Sequence, residues 1–336
     1  MEKTKLKMLK IMDILRETDE EHPITAGQIC GKLQAEGISA ERKSVSSDIR
    51  LLMEYGIDII MCADKKKGCY MASRQFEDWE LKILIDAVWQ AKCLTRNVSK
   101  TLVDKLLATT CKESRQTLKQ ATYIFSHAKT RNKTTQIAID VFLRALIKGH
   151  KVSFQYTYIG PDLKSHLRKD GCLYTVSPYS LVWGNDFYYL ICNTDGHEGL
   201  TWYRLDRMRN FVLTDIPSRP ACETAGPDPN YAISEYVKNS IHHYGGKKIH
   251  LQLRTCESMI DHLLDQFGDN IIIKKEENKK SPSSKGEFCF LATVEASESD
   301  GLYYWLFQFG ENIEIISPAS VRAEYKRRLE NILKKY

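Results

Sequence analysis

Residues 201–210 read TWYRLDRMRN. As a strand, alternation puts Trp202, Arg204, Asp206 and Met208 on one face and Tyr203, Leu205, Arg207 and Arg209 on the other. Neither face is cleanly apolar, and a buried arginine without a partner is strongly unfavourable. The stretch therefore belongs at a rim, where its cations meet solvent, a carboxylate or a ligand. Arg204 either pairs with Asp206 or faces a ligand, and Arg207 either bonds a loop carbonyl or does the same.

The neighbouring segments say what kind of rim. After Gly149, KVSFQYTYI (151–159) alternates, and SPYSLVWGNDFYYLICN (177–193) holds two strands around a tight turn at 184–186, a strong hairpin pattern. NFVLTD (210–215) continues the opening stretch as a strand. So many short strands in so short a span imply a small, strongly bent sheet or barrel.

Towards the N-terminus the period is helical. KLKMLKIMDIL (5–15) is apolar at helical spacing, and TAGQICGKLQAEG (25–37) follows with Thr25 as N-cap and Gly37 as stop,. In ISAERKSVSSDIRLLMEYGI (38–57), Val45, Ile49 and Leu52 form one apolar stripe,. The opposite face centres on Lys43, Ser47 and Arg50, flanked by Ser44 and Ser46, with Arg42 at the helix start. Cations beside short hydroxyls suit phosphate contacts and close approach to base edges. IDIIMCADKKKGCYMA (57–72) then reads strand, turn, strand, with Lys65, Lys66 and Lys67 at the tip. Three helices and a basic-tipped hairpin make a winged helix-turn-helix.

Residues 75–148 carry helix-period apolar spacing throughout, which suggests a connector and dimerisation element. Trp79 and Trp89 within it read as core or interface residues. PSRPACETAGPDPN (217–230) reads as a proline-rich linker. Beyond it, KKIHLQLRT, ESMIDHLLDQFG, FCFLATVEA and the last 36 residues give strand, helix, strand, helix, strand, helix, with room for one more strand at NIIIKK (270–275). The polar run from Lys274 to Lys285 reads as a solvated loop.

The chain has 336 residues, enough for two or three cores, and is 43% hydrophobic and 27% charged, as folded domains are,. Net charge is +6, which permits a polyanionic partner without demanding one. Residues 151–215 hold seven Lys/Arg and seven Asp/Glu, so any nucleic-acid contact depends on placement. Apolar runs fall short of a membrane span and no signal peptide is evident, so we expect a cytoplasmic protein with no membrane association. The ten cysteines are scattered, and the closest pair, Cys62 and Cys69, is seven apart. We therefore expect reduced thiols, no cofactor and no metal site, with the adjacent His242 and His243 in a loop. No phosphate-cradling loop, clustered carboxylate site or nucleophile beside a base appears, which argues against an enzyme.

Three resemblances follow from these residues. SPYSLVWGNDFYYLICN followed by YRLDRM (203–208) resembles a WYL domain, whose tripeptide appears here as Tyr188, Tyr189 and Leu190. The N-terminal unit is similar to DeoR-type winged helices, with SVSSDI (44–49) on the recognition helix and Ser47 where arginine is frequent. FGENIEIISP (309–318) resembles the C-terminal extension of WYL regulators. The resemblance implies a bacterial, ligand-responsive DNA-binding transcription regulator with an Sm-like β-barrel sensing a nucleic-acid or nucleotide effector, and a homodimer bound to a double-stranded operator. Tyr156, Tyr179, Ser180, Tyr189, Arg204 and Arg207 are the candidate ligand contacts. Relatives often place another arginine where Thr201 stands. The alternative is a non-catalytic adaptor that binds single-stranded nucleic acid. The expected layout is a winged helix-turn-helix over 1–73, a helical connector over 74–148, an α+β architecture with the barrel over 149–216, a linker over 217–244 and a C-terminal α+β sandwich over 245–336.

Overall fold

The computed structural model describes residues 2–64, 66–122, 129–130, 132–184, 186–241, 244–276 and 289–336. Lys65, Asn185, the His242/His243 pair and most of the Lys274 to Lys285 run lie outside the described residues. The fold is mixed α and β, with a helical N-terminal part and several antiparallel sheets. It divides into two units, Met1–Lys133 and Thr134–Tyr336.

The first unit opens with α1 (Glu2–Arg16), α2 (Ala26–Ala35) and α3 (Arg42–Glu54), followed by the antiparallel pair β1 (Ile59–Met61) and β2 (Cys69–Met71). Thr25 caps α2 in a reciprocal box with Gln28, which satisfies two otherwise orphaned N–H groups. Val45, Ile49 and Leu52 are buried with Ile11, Leu15, Ile29 and Leu33 in one core. Ile24 bridges Cys69 through two backbone hydrogen bonds of 2.8 and 2.9 Å, locking the loop before α2 to the hairpin. Gly68 makes this possible: its φ is +93°, and a Cβ there would lie 2.0 Å from the Ile24 carbonyl oxygen,.

Then come α4 (Asp78–Gln90), α5 (Arg96–Leu107) and α6 (Lys112–Ala121), which share a small core of Leu81, Ile85, Val103, Leu107 and Leu118. Trp89 packs against it, whereas Trp79 is 65% exposed.

The second unit begins with α7 (Thr135–Lys148). This helix, expected in the connector, belongs with the strands, because Ala138, Phe142 and Ala145 are buried against Val152, Phe154 and Met208. Gly149 ends it in the left-handed conformation,. The strands are β3 (His150–Ile159), β4 (Ser165–Leu167), β5 (Leu173–Gly184), β6 (Phe187–Thr194), β7 (Thr201–Arg204) and β8 (Met208–Pro217). They pair antiparallel in the order β4, β3, β5, β6, β7, with β8 also on β3. Register shifts at Pro178/Ser180 on β5 and at two points between β3 and β8 are the bulges that bend such a sheet. The β5–β6 turn is tight, with Gly184 opposite Phe187 and Asp186 at φ 65°.

The 201–210 stretch is not one strand. β7 stops at Arg204, Leu205–Arg207 form a 3-10 turn, and β8 restarts at Met208. The turn breaks the assumed alternation, so that Leu205 and Met208 both enter the core at 0% exposure. It also joins the two end strands of the β8–β3–β5–β6–β7 series.

The proline-rich segment is not merely a linker. The span 217–244 contains α8 (Cys222–Ala225) and α9 (Pro229–Asn239), the latter with Asp228 as N-cap and proline in its first turn, where the missing N–H costs nothing. The last part comprises β9 (Lys247–Cys256), α10 (Ile260–Phe267), β10 (Ile272–Glu276), β11 (Cys289–Glu298), α11 (Asp300–Phe309), β12 (Ile313–Ser317) and α12 (Ala319–Leu333). The sheet order β10-β11-β9-β12, all antiparallel, is that of a split βαβ unit. The extra strand at 272–276 is present, so Lys274 and Lys275 sit in a strand rather than a loop. All ten cysteines are free thiols, and no described helix is long and apolar enough to cross a membrane.

Candidate functional site

Two surfaces gather the candidate residues, one in each unit. On α3, Arg42, Lys43, Ser47 and Arg50 are exposed, opposite the buried stripe. Among the described residues no hydrogen bond or ion pair engages the side chains of Lys43, Ser47 or Arg50. Ser46 turns its hydroxyl back to the Arg42 carbonyl at 2.9 Å. Ser44 is held elsewhere: its hydroxyl accepts from the Lys7 ammonium on α1. That ammonium also lies 2.8 Å from Asp48 Oδ2, an ionic contact without hydrogen-bond direction. Ser44 thus belongs to the α1–α3 packing rather than to the exposed face. At the hairpin tip Lys66 and Lys67 are exposed, and the turn is ordered by Asp64, which accepts from both of their backbone N–H groups.

The second surface is built by register. Val182 pairs with Tyr189 and Tyr189 with Arg204, while Ser180 pairs with Ile191 and Ile191 with Trp202. Residues opposite each other share a face, so Ser180, Tyr189, Trp202 and Arg204 stand together on one side of β5, β6 and β7. Leu181, Leu190 and Tyr203, one residue out of step, pack into the core. Helix α9 covers part of this outer face, stacking Tyr236 on Trp202 at 5.4 Å. Between them opens a cleft of about 490 Å³ lined by Tyr179, Ser180, Val182, Asn230, Ile233 and Lys238, among others. Tyr179 sits at the β5 bulge, where its hydroxyl donates to the Arg219 carbonyl at 3.0 Å and accepts from Thr224 at 3.2 Å.

Arg204 is clamped: Nε and Nη2 donate to the two Asp206 oxygens at 3.1 and 2.9 Å, and its guanidinium lies 3.5 Å over the Phe187 ring,. Burial lowers its pKa, but the hydrogen bonds and charge of Asp206 outweigh that and raise it. Arg207 differs. Its carbonyl accepts from Thr157 Oγ1 at 2.8 Å, while its exposed guanidinium has no hydrogen-bond or ion-pair partner among the described residues. Burial raises the Tyr189 hydroxyl above its usual value, and the charges of Arg204, Asp206 and Arg207 all reach it.

Tyr156 is the candidate that the structure removes from the surface. It is 7% exposed, its ring lies 5.2 Å from that of Tyr203, and its hydroxyl accepts from the Arg204 N–H at 3.1 Å. It holds the rim from below. Sequence reasoning missed Phe187 and the whole contribution of α9, which the Asp228-Pro229 start signal and the helical spacing of Ile233, Tyr236 and Val237 could have revealed.

Residues 138–213 match the WYL domain family and residues 250–333 the WCX domain family, so the chain carries both domains. Among solved structures, proteasome accessory factor B/C (PafBC) of Arthrobacter aurescens aligns at 13% identity and a TM-score of 0.29, over 99% of this chain and 49% of that one. A CRISPR Cas-related protein aligns at 15% identity and a TM-score of 0.38, over 79% and 75%. The chain spans about half the length of the first of these. No curated protein matches it.

Proposed function

We propose that the chain is a ligand-responsive, DNA-binding transcription regulator and not an enzyme. In this reading α1 to α3 with the β1–β2 hairpin form a winged helix-turn-helix that docks α3 in a major groove. The six strands of the WYL domain form a small Sm-like barrel, and its outer face receives a nucleic-acid or nucleotide effector. A homodimer supplies two half-site contacts, and the apolar Trp79 and Ile83 on α4, both exposed, suit a partner surface. Effector binding changes operator affinity by altering how the two winged helices are presented.

The observation that carries the reading is the α3 face: Lys43, Ser47 and Arg50 are exposed and unengaged among the described residues, directly opposite Val45, Ile49 and Leu52. For the effector, the support is the exposed Arg207 guanidinium, without a partner among the described residues, whose charge reaches Tyr189 near the Arg204–Asp206 clamp, since arginine forks suit phosphate and tyrosine faces suit bases. Fluorescence anisotropy with duplexes flanking the protein's own gene tests it. We expect preference over random duplex at physiological salt, reduced by Arg50→Ala. No duplex preference together with salt-dependent binding to single strands would replace this reading with the single-strand adaptor.

A further inference from the structure

The loop after α1 and the start of α6 bring together a cluster that the regulator reading does not use. Asp19, His22 and Glu113 each offer a ligand atom, and these atoms lie within 4.8 Å of one another. Asp19 Oδ1 accepts from the His22 backbone N–H at 2.7 Å and lies 2.9 Å from its Nδ1. Behind them the buried Cys111 thiol donates to Asp19 Oδ2 at 3.2 Å. The two segments are also joined by Arg115, which pairs with Glu17 at 3.0 Å and bonds the Thr110 carbonyl.

Two further features favour a cation at this cluster. Glu113 Oε2 is shielded from solvent yet accepts no hydrogen bond, a costly state for a carboxylate oxygen. Arg115 does not supply that bond, being committed to Glu17 and to the Leu107 and Thr110 carbonyls. In addition, a cleft of about 910 Å³ opens on His22 and Glu113, giving an ion a path and leaving room for water.

We propose that Asp19, His22 and Glu113 bind a divalent transition-metal ion of the zinc class, with Cys111 as the positioning residue that orients Asp19. Imidazole nitrogen and carboxylate oxygen are both ligand types that zinc takes, and three of them leave a position open. The imidazole nitrogen favours a transition ion over calcium and magnesium, which prefer oxygen ligands throughout. The Cys111–Asp19 bond is the outer-shell contact such sites use to fix a ligand's orientation. The bound ion would tie the segment leading into α2 to α6. This site stands independently of DNA binding.

The test is titration of the metal-stripped full chain with zinc and with cobalt(II), read by calorimetry and by visible cobalt absorption. We expect one equivalent to bind, a rise in the thermal midpoint with zinc, and cobalt bands of low-coordinate geometry. Glu113→Gln and His22→Ala each lose affinity by about tenfold or more, whereas Cys111→Ser weakens it less and leaves the cobalt band positions in place. Circular dichroism checks that the variants fold, and a misfolded His22→Ala is replaced by His22→Gln. The proposal is overturned if the wild type binds no equivalent, or if binding persists unchanged in the folded Glu113→Gln/His22→Ala double variant.

Discussion

Arg204 and Arg207 are three residues apart and do different work. Arg204 is part of the rim's scaffold, since Asp206 and Phe187 hold its guanidinium and its own N–H binds Tyr156. Removing its partner leaves a half-buried charge, so Asp206→Ala should cost about 1.5–3 kcal/mol, measured by urea unfolding. Arg207→Ala should leave the urea midpoint nearly unchanged, because nothing among the described residues depends on its guanidinium. It should abolish the response of operator binding to oligonucleotide effectors. A large destabilisation by Arg207→Ala would instead assign that side chain to the fold. The sequence already offered Asp206 as the partner of Arg204 and left the ligand as the alternative; what it could not show is the 3-10 turn in which Asp206 meets that guanidinium.

Among elements, α3 is held by more than its apolar stripe. Lys7 and Asp48 are both 7% exposed and in ionic contact. Breaking such a buried pair costs about 3–5 kcal/mol because one charge stays behind. Lys7→Met should therefore lower stability by that order in chemical denaturation, and Lys7→Met with Asp48→Leu should recover much of it. At the hairpin, Gly68→Ala meets the Ile24 carbonyl and requires φ +93°. It should destabilise the first unit by at least about 1–3 kcal/mol, visible as a lowered thermal midpoint. The helices and strands of this region were readable in sequence because each keeps one clean period with explicit start and stop signals, such as Thr25 and Gly37. The 201–210 stretch was not, since a turn hidden inside apparent alternation is invisible to a period-two reading. Helix α9 was obscured by prolines that in fact sit at its start, and the Lys7–Asp48 pair by a separation of 41 residues, the difference of the two positions.

For the molecule as a whole, each core closes within one unit. The clusters around Leu33 and Leu81 lie in Met1–Lys133, and those around Phe154 and Leu253 in Thr134–Tyr336. A fragment spanning 134–336 should therefore unfold cooperatively by itself, whereas one starting at 149 should not, because it lacks Phe142 and its neighbours. Calorimetry of the two fragments checks this. Thiol chemistry offers a second global readout. Cys172 and Cys222 are exposed, Cys69 is buried with its pKa pushed up to about 11, and burial raises Cys192 further still. Only thiolates alkylate readily, so pulsed iodoacetamide labelling of the native protein should modify the first two quickly and the latter two only on unfolding.

The anchoring of Arg207 has a consequence for binding entropy. Its carbonyl accepts from Thr157, and Leu205 and Met208 on either side are wholly buried, so its backbone is held in place before any ligand arrives. Capture of an anion would freeze one side chain, about 0.5–1.5 kcal/mol, rather than order a loop. Thr157→Val, which touches no ligand, should weaken effector binding by loosening that mount.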